Sequence, residues 1–120
     1  MAQTIPPALE AELKKYDNLR RMHESESALL QTVQTEMLDV KATLDELRKQ
    51  PDDAVTYKAV GQVMFKVEKP ALVEELEERE RTLEIRKSKA EKSIKALTDQ
   101  LNELQKTIQL ELSKRNLRLQ

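Results

Sequence analysis

Few residues in this 120-residue chain could do covalent or metal chemistry. Cysteine is absent and His23 is the sole histidine. Without a thiol there is no disulfide, no cysteine nucleophile and no sulfur metal site. One imidazole makes neither a catalytic triad nor a metal-ligand set. Asp52 and Asp53 adjoin, but no further carboxylates follow at the spacing of a calcium loop. Gly61, the single glycine, excludes a glycine-rich phosphate loop. No catalytic, cofactor-binding or metal residue is assigned, no cofactor is expected, and the chain does not read as an enzyme. The chemistry these residues do offer is contact. It lies in a β-branched and aromatic stretch at 54–67, in leucines near both ends, and in Lys114, Arg115 and Arg118.

The elements that position these groups are legible. Aromatics make up 2% and charged residues 36% of the chain, the composition of long helices rather than of a globular core. Pro7 suits a first helical position, and no Gly or Pro follows until Pro51. In that first helix, residues 7–50, Leu30, Val33, Met37, Val40, Leu44 and Leu47 step by three and four, the coiled-coil rhythm. The same register extends back through Glu26, His23, Leu19, Tyr16, Glu12 and Leu9, where it frays. His23 then reads as a polar seam residue that sets register, and Met22, Met37 and Met64 as fillers of packing gaps.

Pro51-Asp52-Asp53 ends this arm. Val55, Tyr57 and Ala59 alternate with Thr56 and Lys58, and Val63, Phe65 and Val67 with Met64 and Lys66. Period two with these residue types means strand. Gly61 falls between the runs, where a tight turn needs positive φ. A second helix, 70–118, opens at Pro70 with Glu74, Glu75, Glu77 and Glu78 near its start and Lys114, Arg115 and Arg118 near its end, both favourable to the macrodipole. Its seam runs Val73, Leu76, Leu83, Ala90, Ile94, Leu97, Leu101, Leu104 and Ile108, interrupted by Glu80 and Lys87. Pairs at i,i+4 such as Glu75–Arg79, Glu77–Arg81 and Glu91–Lys95 are expected on its outer face. The fold class is therefore mainly α: a long antiparallel two-helix coiled-coil hairpin with a small β-hairpin at the bend.

A two-stranded hairpin is marginal alone. This one is expected to expose edge backbone and one face of Val55, Tyr57, Val63, Phe65 and Val67, so its strands should join those of other subunits in a sheet or barrel. With Gly61 at the turn, these form the expected oligomerisation segment.

The segment TYKAVGQVMFKV at 56–67, followed by PALVEELEERERTLEIRKSKAEKSI, resembles a β-type prefoldin subunit. Tyr57-Lys58, two residues, Gly61 and an apolar strand ending near Lys66 carry the likeness; Lys69-Pro70 departs from it, placing a Pro where many relatives have a polar helix start. The resemblance is sharp over about 55–86. It implies a hetero-hexamer of two α-type and four β-type subunits, with hairpins forming an inter-subunit barrel. It also implies an ATP-independent co-chaperone that holds non-native proteins at its coiled-coil tips and passes them to a group II chaperonin.

The far ends of both arms come together in such a hairpin. Leu9, Leu13, Tyr16 and Leu19 from one, and Leu110, Leu112, Leu117 and Leu119 from the other, are the candidate client-binding residues. Leu13, Leu110, Leu112, Leu117 and Leu119 fall off the seam, which cannot bury them all, and exposed apolar groups mark interaction surfaces. Lys114, Arg115 and Arg118 are the candidate chaperonin-docking group, with helix-dipole compensation as their other reading. The alternative function is a non-catalytic tether or scaffold oligomerising through its β-hairpin. Residues 1–60 carry 8 basic and 11 acidic side chains and residues 61–120 carry 13 and 11, too even a balance for a nucleic-acid partner. No apolar run approaches a membrane span and MAQTIPPALE lacks a signal-peptide core, so no membrane partner and a cytoplasmic location are expected.

Overall fold

A computed structural model of the chain describes residues 5–115. Helix α1 spans Pro7–Arg48, strand β1 Thr56–Val60, strand β2 Val63–Val67, and helix α2 Lys69–Lys114. The Glu10 N–H donates to the Pro6 carbonyl at 2.9 Å. This places Pro7 as the first helical residue, where its missing N–H leaves no gap. At the other end, Lys49 and Gln50 donate to the carbonyls of Glu46 and Leu47, three residues back. That tightening, with Pro51 next, stops the helix two residues short of Gln50. The Ala54 N–H then closes a turn onto the Pro51 carbonyl at 3.0 Å.

Helix α2 starts one residue before Pro70. Leu72 donates to the Glu68 carbonyl, making Lys69 the first helical residue and Pro70 the second. The first turn holds no acidic residue. Glu74, Glu75, Glu77 and Glu78 thus begin beyond it, where the helix dipole has largely faded.

The chain forms two compact units, Leu30–Ser88 and Met1–Leu29 with Lys89–Gln120. In the Leu30–Ser88 unit, Val33, Val40, Leu44 and Leu83 form the buried core, with Met37, Val73 and Leu76 packed against it. Leu44 and Leu83 have no exposed surface. All seven are seam residues, and they join the two helical segments in antiparallel fashion. In the other unit, Leu9, Ala90, Leu97 and Ile108 are buried. Every other described seam position there, Glu12, Tyr16, Leu19, His23 and Glu26 included, is half-buried. The His23 ring nitrogen Nε2 lies 3.1 Å from Thr98 Oγ1, so the polar seam residue has a polar partner across the pair. Burial therefore follows the heptad register back to Leu9, through the part where the apolar pattern frays.

Strands β1 and β2 pair antiparallel, with Thr56 opposite Val67, Tyr57 opposite Lys66, Lys58 opposite Phe65, Ala59 opposite Met64 and Val60 opposite Val63. The loop is Gly61-Gln62, and Gly61 has φ of 61°. A two-residue hairpin loop demands that sign at its first position.

Candidate functional site

The pairing register corrects the expected hairpin face. Opposed residues on antiparallel strands share a face. With a two-residue loop, each residue faces one of opposite parity, so Val63, Phe65 and Val67 lie with Thr56, Lys58 and Val60. Tyr57 lies on the other face, with Ala59, Met64 and Lys66. Val55 precedes the strand.

The first face is partly covered at its base. Thr56, Lys58 and Val67 are half-buried there; the Thr56 hydroxyl donates to the Val67 carbonyl and Lys58 pairs with Glu75 on α2. Towards the loop the cover ends. Val55, Tyr57, Val60, Val63, Met64 and Phe65 are each more than half exposed. Val60 and Met64 add to the contact residues expected from the sequence, in which Met64 reads as a gap-filler. Met22 likewise lies on the surface, and of these three methionines Met37 alone packs against the core. An apolar surface on both sides of a hairpin this small is unusual, since fully burying one such side chain is worth about 1.5–3 kcal/mol.

The base of the hairpin is held by a residue with no signal in the sequence pattern. Lys69 is 8% exposed. Its Nζ donates to the Gln50 carbonyl at 2.6 Å and to Asp52 Oδ1 at 3.2 Å. Other ion pairs also cross between elements. Arg79 Nε donates to Glu36 Oε1 at 2.9 Å, and Arg48 lies 3.7 Å from Glu77. Glu75, Glu77 and Arg79 thus reach β1 and α1 rather than one another along their own helix.

In the other unit the candidate client-binding residues separate by exposure. Leu9 is 2% exposed and belongs to the packing. Leu13, Tyr16, Leu19 and Leu112 are half-buried, and Leu110 is exposed. Leu13, Tyr16, Ile108 and Leu112, with Gln105 and Gln109, line an open, largely apolar cavity of about 240 Å³. Lys114 and Arg115 are exposed at the end of α2, where Arg115 Nε lies 3.4 Å from Glu111. Leu117, Leu119 and Arg118 lie outside the described residues. On the outer face of α1, Arg20 bridges Asp17 at 3.1 Å and Glu24 at 2.6 Å. The hydrogen bond to Asp17 and the charge of Glu24 hold its guanidinium above its ordinary range.

Known proteins share this arrangement. Residues 10–115 match the family model described as prefoldin subunit. The prefoldin subunit beta of Thermococcus gammatolerans is 39% identical over 110 residues, covering 92% of this chain and 94% of that protein. The Sulfolobus acidocaldarius prefoldin subunit beta is 32% identical over 114 residues, covering 95% and 91%. Among solved structures, the crystal structure of the prefoldin beta subunit from Thermococcus strain KS-1 superposes with a TM-score of 0.82 at 38% identity, covering 92% of this chain and 97% of that one. A likeness that spans both helices and the hairpin between them, in sequence and in backbone alike, means that the chain belongs to the prefoldin family, as a β-type subunit with a co-chaperone role.

Proposed function

We propose that this subunit works without catalysis or ATP, as one of four β-type chains joined to two α-type chains in a cytoplasmic hexamer. The observation that carries the proposal is the hairpin. Among the described residues its two short strands have no partner on either outer edge, and five of their large apolar side chains, with Val55 just before them, are more than half exposed. Strands from neighbouring subunits would extend the sheet through those edges and cover those side chains. No described helix is long and apolar enough to cross a membrane.

Client holding falls to the unit built from the chain ends. Leu13, Tyr16 and Leu112 line an open groove, Leu19 and Leu110 keep apolar surface in the same unit, and Leu117 and Leu119, outside the described residues, complete the candidate set. Loose apolar burial is non-directional, which suits clients with no common shape. Lys114 and Arg115 are exposed at the end of α2 and, with Arg118 outside the described residues, supply the positive charge for docking on an acidic face of a group II chaperonin.

Native mass spectrometry of the tagged protein from its own source tests the assembly. The expected result is a hexamer with a second subunit type in a two-to-four ratio. A homodimer or lone monomer would replace this proposal with a tether that oligomerises through its hairpin.

A further inference from the structure

We infer that Lys69 is a positioning residue for assembly: its buried ammonium clasps the base of the β-hairpin and sets the direction in which the strands leave the helices. The inference rests on the reading of the hairpin as the assembly element.

Lys69 occupies a locally unfavourable place. It is the first residue of α2, where the helix dipole disfavours a cation. Its side chain is also 10% exposed, and an ammonium withdrawn from water needs close partners. Both partners come from across the bend. The Gln50 carbonyl, at 2.6 Å, lies just past the end of α1, so the ammonium compensates the negative end of that helix. The Asp52 carboxylate, at 3.2 Å, is 93% exposed and contributes little alone. The clasp therefore ties the start of α2 to the end of α1 and closes the segment 50–69, which contains the whole hairpin. A second tie, Lys58 to Glu75, holds the partly covered face against α2. Of the hairpin's large apolar side chains only Val67, at the base, is half-buried, whereas Val55, Tyr57, Val60, Val63, Met64 and Phe65 are all exposed, so apolar packing anchors it little. Polar contacts therefore fix the hairpin's direction while its apolar surface stays available for neighbouring strands.

The test compares Lys69→Met, which keeps the stem and removes the charge, with Val40→Ala, which weakens the helix core away from the bend. Each is co-expressed with the α-type subunit of the source organism. Assembly midpoint by native mass spectrometry and Tm are read together. Lys69→Met is expected to weaken assembly at least tenfold, while Val40→Ala, with an equal or greater loss of Tm, weakens it less than threefold. Lys69→Arg keeps a donor within reach of the Gln50 carbonyl and should recover most of the loss. Assembly that merely tracks Tm, or is unchanged in Lys69→Met, or is not recovered by Lys69→Arg, overturns the inference. Val63→Ser with Phe65→Ser removes apolar surface and leaves the clasp. If that pair also assembles normally, the hairpin reading itself falls; if only that pair fails, the clasp alone does.

Discussion

Gly61 shows how one residue can be necessary for its backbone alone. A Cβ added there would meet nothing within 4 Å, so no packing argument opposes a substitution. Its φ of 61° does. An L-residue in that conformation costs about 1–2 kcal/mol, while Asn tolerates it better. Gly61→Ala should therefore lower stability by about 1 kcal/mol and Gly61→Asn by clearly less, read as denaturant midpoints of the assembled protein. Equal losses would place the requirement in the missing side chain instead. The turn was legible because one glycine between two alternating runs has one economical use. The face of Tyr57 was not. It depends on whether the loop holds two residues or three, and Gly61-Gln62-Val63 can be divided either way before the pairing is known.

The helices were legible because a seam three or four residues apart needs no long-range information. Leu83 and Ile85 illustrate the difference that the seam makes. Leu83 is wholly buried against Val33, Val40 and Leu44, whereas Ile85, two residues on, is 57% exposed. Leu83→Ala should destabilise by about 2–4 kcal/mol through lost burial and a cavity, and Ile85→Ala by at most about 0.5 kcal/mol, measured by urea unfolding. Similar values would mean that the seam does not hold the pair. Ion pairing followed a different logic from the one the helix pattern implies. Glu75–Arg79 is a sound i,i+4 pair in an isolated helix, but cross-element partners compete for both ends, and Glu36 and Lys58 win them. The Glu36–Arg79 pair is about two-fifths exposed at each end, so a double-mutant cycle should return only about 0.2–1 kcal/mol. Such pairs orient elements more than they stabilise them. Lys69 is the extreme case. Its partners lie 17 and 19 residues away, a separation at which neither helical nor strand periodicity carries a signal.

At the scale of the molecule, the proposed function assigns assembly and client holding to two compact units with separate cores. The hairpin belongs to one; the apolar groove lined by Leu13, Tyr16 and Leu112 belongs to the other. Substitutions at the surface of one should spare the role of the other. Replacing Leu13, Leu110 and Leu112 together by Ser is expected to leave the assembly intact and to reduce suppression of client aggregation several-fold. Leu9→Ser would not serve, because Leu9 is buried and its loss would loosen the packing itself. Salt separates holding from docking in the same way. Apolar burial has no charge to screen, whereas exposed Lys114 and Arg115 act over a Debye length of about 8 Å at physiological ionic strength and about 3 Å at 1 M. Raising salt should thus weaken transfer to a chaperonin while client holding persists. Measured side by side, aggregation suppression that fell as steeply as chaperonin binding would show that charge, not the leucine surface, retains the client. The lysine and arginine at the end of α2 would then belong to the holding site.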